Sequence, residues 1–552
     1  MRSSLARLVV AVLVAAPGLT LHLLAQAPPA NLQPQVDKIF SRWNASTPGC
    51  AVGASVKGQT VVRSAYGMAD LERDVPIAPG TVFEAGSVAK QVTAAAVLLL
   101  ERDGRLTLDD PVHRYIPELP DYGAPLTIRQ MLQHTAGLRD WESLVTLAGL
   151  RYGTFRRGDT EMLDLVRRQR SLNFPPGTRW EYTNTGYTLA AMIVSRVSGM
   201  SFAEFTDRRI FQPLGMTDTS WQLDLGRVVK RKAVAYGERE GMVVVDLPVV
   251  LADGAGGLQT TVDDLLKWNN NFVSPKVGDA AFVRALQQRT TFADGRTHEY
   301  ALGQVVDSYR GVPEADHSGA FAAYRSYVSR YPDQQVSIAV LCNSAAANPT
   351  SYGKALAQLL LGNALQAPTS SPASGGRGFS DAEMSRFSGL YRRSPQPGFV
   401  RIVRDGTSLL FNGVAPLAPT SATRLTRVDT GDTMDFDGGR ARYVDEFGTV
   451  DVYERVEPVT PSPDELRSYA DEYYSDEIDA TWKIVLEGNQ LVIDRRPRRL
   501  VLTPVYADTF STPTGIVQFE RTRDGRVTGL RFSQERVWNL RFTRRTTTSG
   551  TP

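Results

Sequence analysis

Residues 83–100 read FEAGSVAKQVTAAAVLLL. The run is helix-like and apolar, yet it carries Lys90, one of nine lysines among 62 basic residues. An ammonium buried without a partner costs several kcal/mol or gives up its proton. Either Lys90 reaches solvent, or the chemistry at this point needs an amine. Ser87 stands three positions earlier, and on a helix that spacing puts both side chains on one face, with Cβ atoms about 5–6 Å apart. A serine hydroxyl is a weak nucleophile until a neighbouring base takes its proton. A lysine serves as that base only when burial lowers its pKa. The small residues AGSVA leave the helix start open, where free N–H groups and the positive dipole end favour a developing oxyanion.

Working outward, a second Ser-x-x-Lys, Ser351-Tyr-Gly-Lys354, follows the turn signal Asn348-Pro349. It reads as a helix start with Lys354 solvated. The pair alone therefore decides nothing, and other groups must. WEYTNTGYTLAAMIVSRVSG sets Tyr182 and Asn184 just before a helix ending at Gly199, and ADHSGAFAAYRSYV sets His317-Ser318-Gly319 at the entrance to a strand. Lys276-Val-Gly278 offers the same third pattern but follows a helix in a loop-like context, and is set aside.

The order Ser-x-x-Lys, Tyr-x-Asn, His-x-Gly resembles the serine penicillin-recognising enzymes, and within them the group of class C β-lactamases, D,D-peptidases, D-aminopeptidase and related esterases. LTIRQMLQHTAGL, PPGTRWEYTNTGYTLA, FQPLGMTDT and GAGGLQTT resemble recurrent segments of that group, over roughly residues 35–362. The resemblance implies a Ser87 acyl-enzyme, with Lys90 holding and deprotonating the hydroxyl. Tyr182 would be the proton shuttle, phenolate-like if Lys90 depresses its pKa. Asn184 would bond Lys90 and the substrate amide, and His317 would align the leaving group or a substrate carboxylate. The oxyanion hole would be the N–H groups of Ser87 and Ala320, next to Ser318 and Gly319. No metal or cofactor is implied. His134, in HTAGL, is given a structural loop role. Class C β-lactamases carry lysine where His317 stands, so a largely neutral histidine resembles the peptidase and esterase branches. The implied activity is a peptidase or amidase on D-amino-acid peptides, cell-wall-derived ones included, with an esterase or a weak β-lactamase as alternatives. A non-enzymatic scaffold would not need these motifs intact.

A chain of 552 residues exceeds one ordinary core. A net charge of +3 gives no reason to expect nucleic acid. Residues 1–27 have a basic start, an apolar stretch and a small-x-small site at Ala25-Gln26-Ala27, which read as a signal peptide. The protein is expected to be exported, with a membrane tie only if that leader stays uncleaved. Cys50 and Cys342 sit in strand-like apolar segments and are expected as buried free thiols; a disulfide would require those strands to be neighbours.

Strands at both ends of residues 31–362, with helices between, suggest an α/β (α+β) domain: an antiparallel sheet flanked by helices, with a helical subdomain. Ser201 with Glu204, and Thr261 with Asp264, mark helix starts inside it. Residues 363–379 read as a Pro/Gly/Ser-rich linker. Beyond it come short alternating strands that repeat: MSRFSGLYRR (384–393) matches LRSYADEYYS (466–475), and VRDGTSLLF (403–411) matches VLEGNQLVI (485–493). Both pairs keep an 82-residue offset, which predicts two barrel-like β-modules over 380–458 and 459–546.

Overall fold

The structure is a computed structural model, and it describes residues 31–149, 158–222, 224–248, 251, 253–367, 378–495 and 498–545. The signal-peptide reading, and most of the linker reading, lie outside the described residues. The chain enters through helix α1 (Leu32–Ile39) and strands β1 (Cys50–Val56) and β2 (Gln59–Tyr66). Lys57 and Gly58 form the turn between these strands, both with positive φ, which suits the twist of a tight hairpin. Helices α2 (Ala89–Arg102), α3 (Trp141–Leu147), α4 (Thr185–Ser198) and α5 (Val262–Asn270) follow. Strands β3 (Val305–Tyr309), β4 (Val312–Phe321), β5 (Tyr324–Tyr331) and β6 (Val336–Cys342) and helix α6 (Pro349–Leu361) complete the domain.

The six strands form one antiparallel sheet in the order β3-β4-β5-β6-β1-β2. Because β1 is central, all seven of its residues are buried. Val52, Ala54 and Val56 alternate toward α1 and α6, where Val36, Phe40, Leu356 and Leu360 meet them. Ala51 and Gly53 face α5; a Cβ on Gly53 would come within 3.1 Å of Leu266, so glycine lets the helix approach.

Closing the sheet through β1 and β6 overturns the expectation of free thiols. Cys50 lies directly opposite Cys342 in the β1–β6 register, and the two form a disulfide with Cα atoms 4.0 Å apart. The first and last strands of the sheet domain are thus tied covalently.

The repeat becomes two closed eight-stranded antiparallel barrels, over residues 389–456 and 471–544. Each is preceded by a short helix, α7 (Asp381–Phe387) and α8 (Pro463–Tyr469), with a reciprocal capping box at Ser380/Glu383 and again at Ser462/Glu465. One turn later Tyr391 donates its hydroxyl to the Phe387 carbonyl, and Tyr473 donates to that of Tyr469, each at 2.8 Å. All these partners keep the 82-residue offset.

The barrels pack differently. Trp482, Ile484, Leu530 and Phe532 of the second barrel join one continuous core with the sheet domain, whereas the first barrel keeps its own core around Tyr391, Leu409 and Leu425. Among the described residues, no helix is long and apolar enough to cross a membrane.

Candidate active site

The turn that bears Ser87 is built from its backbone outward. Gly86 has φ +53°, and a Cβ there would stand 2.7 Å from the Ala320 amide nitrogen, so only glycine lets the turn press against β4. The buried Glu84 carboxyl accepts from the N–H groups of Gly86 (3.1 Å) and Gly257 (2.8 Å) and from Gln259 Nε2 (2.5 Å). Burial pushes its pKa up to about 7, against the pull of those N–H groups and of Lys232. Ser87 then sits half-buried in a 3₁₀ turn, Gly86–Val88, that runs into α2.

Every residue of α2 from Ala89 to Leu100 is buried, Lys90 fully so. Its Nζ lies 3.1 Å from Ser87 Oγ, 2.8 Å from Asn184 Oδ1 and 2.7 Å from the Ala255 carbonyl. Burial lowers its pKa to about 7, although Glu142 and Asp140 draw it upward; the Arg536 charge lowers it further. The three contacts match a neutral amine. An amide oxygen and a carbonyl can only accept, so they take the two N–H bonds, and the lone pair is left for the serine hydroxyl proton. Asn184 is fixed in turn by its own N–H, which donates to Asp140 Oδ2 at 2.8 Å.

Tyr182 completes the group, with the Lys90 Nζ 4.9 Å from its ring centroid. The condition for a phenolate, a pKa depressed by Lys90, is not met. Burial raises it well above the ordinary tyrosine range, and the neighbouring Ser87 hydroxyl and the charge of Arg536 offset only part of that. The resting phenol therefore keeps its proton. His134, fully buried with φ +59°, packs 4.3 Å from the Tyr182 ring and accepts from the Thr183 N–H through Nδ1 at 3.3 Å.

His317 is buried on β4 with Nδ1 2.5 Å from the Ser318 carbonyl and Nε2 3.1 Å from the Tyr300 hydroxyl. A carbonyl only accepts, so Nδ1 carries the proton and Nε2 accepts. Burial, then the Lys90 charge, pushes its pKa down to about 4, so it is neutral at physiological pH. Two residues on, a Cβ at Gly319 would stand 2.1 Å from the Ala85 carbonyl oxygen and 2.3 Å from Ser326 Oγ. The backbones bearing the Ser87 and Ala320 amides are thus in contact, and the exposed Ser318 and Ala320 flank that contact.

A cleft of about 520 Å³ opens from Tyr182, His317 and Ser318. Trp180, Tyr300 and Phe447 give it aromatic walls. Glu299, Asp307, Asp316 and Glu446 make it acid-rich; Glu299 pairs with Arg289 at 2.6 Å, and Asp316 lies 3.6 Å from Lys354.

The residues matched by a family model, 32–363, are those that hold the sheet, Ser87, Lys90, Tyr182, Asn184 and His317, and the model is that of the β-lactamase family. The chain belongs to the β-lactamase family. It is 29% identical to a D-aminopeptidase of Gluconobacter oxydans over 60% of this chain and 62% of that protein, so it spans about three-fifths of that relative's length. It is 27% identical to penicillin-binding protein 4* of Bacillus subtilis over 64% of this chain and 79% of the other. The solved octameric penicillin-binding protein homologue from Pyrococcus abyssi superposes with a TM-score of 0.55 at 21% identity, over 77% of this chain and 99% of that one, a likeness of fold.

Several groups at this β-lactamase-family site escaped the sequence reading. Asp140 and Glu142, at the start of α3, face Lys90 and Asn184; burial raises the Glu142 carboxyl to about 7. His298 stacks on Trp180 at 4.4 Å and meets Phe447 of the first barrel at 4.4 Å. Arg536, in a hairpin of the second barrel, lies 5.0 Å from the Tyr182 ring centroid. Lys354 is not solvated: it pairs with Glu314 behind the cleft, and only 23% of its side chain is exposed. Lys276 stays in a loop, its N–H held by Asn271 Oδ1 at 2.8 Å.

Proposed function

We propose that the protein is an exported peptidase or amidase acting through a Ser87 acyl-enzyme on peptides or amides containing D-amino acids. The observation that carries the reading is the Lys90 amine, buried, lowered to about 7 and aimed at Ser87 Oγ with its other two partners satisfied. Lys90 takes the hydroxyl proton as Ser87 Oγ bonds to the substrate carbonyl carbon. The carbonyl oxygen becomes an oxyanion held by the N–H groups of Ser87 and Ala320. As the C–N bond breaks, the proton from Ser87 passes to the leaving nitrogen by way of the Tyr182 phenol, whose resting protonation suits a donor. Water then cleaves the ester and Lys90 recovers its role as base.

Two features support the substrate class. The relatives named above include a D-aminopeptidase and a penicillin-binding protein. The acid-rich aromatic cleft suits a cationic group, such as the ammonium of a peptide, through charge and cation–π attraction. Export rests on the leader-like residues 1–27.

The test has two stages. A fluorescent phosphonate followed by peptide mapping should label Ser87 and fail on Ser87→Ala. Turnover of D-alanyl-p-nitroanilide, a D-Ala-D-Ala peptide, nitrocefin and p-nitrophenyl butyrate is then compared. Hydrolysis of the ester alone would replace the peptidase reading by an esterase.

A further inference from the structure

The second barrel contributes a cation to the site. Arg536 occupies the hairpin between strands Val527–Gln534 and Val537–Arg544, on the side of the barrel that packs against the sheet domain. Its backbone is clamped there: the Arg536 carbonyl accepts from the Asp140 N–H (3.2 Å) and from Asn173 Nδ2 (3.1 Å), and Asn173 Oδ1 takes the Trp538 N–H (2.8 Å). Arg139 Nη2 fastens the Trp538 carbonyl at 2.7 Å. Such a clamp fixes where the side chain begins.

The side chain itself is under-used. Nε is buried with no hydrogen-bond partner among the described residues, while 32% of the side chain remains exposed. Among the described residues the carboxylate within ion-pair reach is Glu535 at 3.9 Å, too long for a hydrogen bond and itself 78% exposed. Other acids face the guanidinium without pairing to it. Asp140 is occupied by the N–H groups of Ser143 and Asn184, and Glu142 and Glu181 are buried carboxyls pushed toward the neutral form. The guanidinium carbon nonetheless lies 5.0 Å from the Tyr182 ring centroid, so the charge borders the reaction centre. His317 on β4 is neutral and offers no charge to an anionic group.

We propose that Arg536 is the anchor for a substrate carboxylate, so that the second barrel selects substrates bearing a negative group near the scissile bond. The inference rests on the acyl-enzyme reading above and narrows its substrate class. A guanidinium offers two parallel N–H bonds to a carboxylate, and this one already has its entropy reduced by the clamped hairpin. The acid-rich cleft does not include Arg536 among its walls, so the two charged regions address different parts of one ligand.

The experiment compares N-acetyl-D-alanyl-D-alanine with its C-terminal carboxamide, for the parent protein and for Arg536→Ala, Arg536→Lys and Arg536→Glu. The parent should favour the free acid. Arg536→Ala should raise KM for the acid about 30-fold or more, at least tenfold beyond any change for the carboxamide, with Arg536→Lys restoring part of the preference and Arg536→Glu reversing it. Equal losses on both substrates would assign Arg536 to structure and overturn the proposal, as would an unchanged ratio. Phosphonate labelling of Ser87 in each variant reports whether the site is intact. If Ser87 is labelled and neither peptide turns over, the peptide reading has failed separately. The same comparison then passes to p-nitrophenyl hydrogen glutarate against p-nitrophenyl butyrate, where an acid preference lost in Arg536→Ala sustains the anchor and an absent one rejects it.

Discussion

Arg139, ahead of α3, and Glu477, in the second barrel, form an ion pair of 2.6 Å in which both side chains are essentially without solvent exposure. Each has further partners. Arg139 also donates to Gln169, Ser171 and the Trp538 carbonyl, and Glu477 also accepts from the Arg170 N–H. The pair is therefore the polar centre of the interface that holds the Arg536 hairpin. Removing one partner leaves the other charged and buried, so Arg139→Ala should cost about 3–5 kcal/mol, whereas the paired replacement Arg139→Met/Glu477→Leu should cost less. Urea denaturation of the parent and the two variants measures both, and a single variant no worse than the double would refute this account.

The pH dependence of acylation follows from Lys90. The neutral amine is the active form and its pKa lies near 7, so kcat/KM should rise with pH through about 7 and level off above it. Lys90→Arg keeps a cation but cannot shed its proton, and should lose about 10²–10⁴-fold in the rate of Ser87 labelling. A labelling rate that is flat between pH 5.5 and 8.5 would rule out Lys90 as the base.

Gly319 has no room for a side chain. In Gly319→Ala the new Cβ would stand 2.1 Å from the Ala85 carbonyl and must push β4 away from the Ser87 turn. Separating the two amides should cost about 10²–10³-fold in kcat, the scale of a lost oxyanion donor. Circular dichroism of the variant separates this from unfolding, and full activity in a folded Gly319→Ala would dismiss the proposed oxyanion site.

The Cys50–Cys342 bond closes a loop with a sequence separation of 292 residues. Its removal in Cys50→Ala/Cys342→Ala should lower stability by about 2–4 kcal/mol. The expected result is a lower Tm for the double variant, matched by the parent protein under strong reductant. Identical Tm values in all three samples would contradict it.

The parts of the site that were legible in the sequence are those whose geometry is local. Ser87 and Lys90 are set by one short helical run, a 3₁₀ turn leading into α2, and the flanking glycines and small residues show where backbone must approach backbone. Tyr182, Asn184 and His317 were legible through their order and their resemblance to a family. The rest depends on which distant surfaces meet. Nothing in SQERVWN distinguishes Arg536 from a solvated turn residue, because its position comes from docking through Asn173, Asp140 and Arg139. The disulfide was misread for the same reason: β1 and β6 become neighbours only when the sheet closes across the whole helical insertion. For Tyr182 the phenolate form was conditional on Lys90 depressing its pKa, and magnitude decides against it: full burial holds the phenol neutral. The fold itself was more legible, as the 82-residue repeat carries its caps and its Tyr391 and Tyr473 latches in the sequence.

Ser87, Lys90, Tyr182, Asn184 and His317 all precede the barrels in the chain, while Arg536 comes near the end of the second. Domains of a growing chain fold in the order in which they emerge. On the proposals above, a chain whose second barrel had not yet docked would hold Ser87 and Lys90 without the Arg536 that selects among substrates.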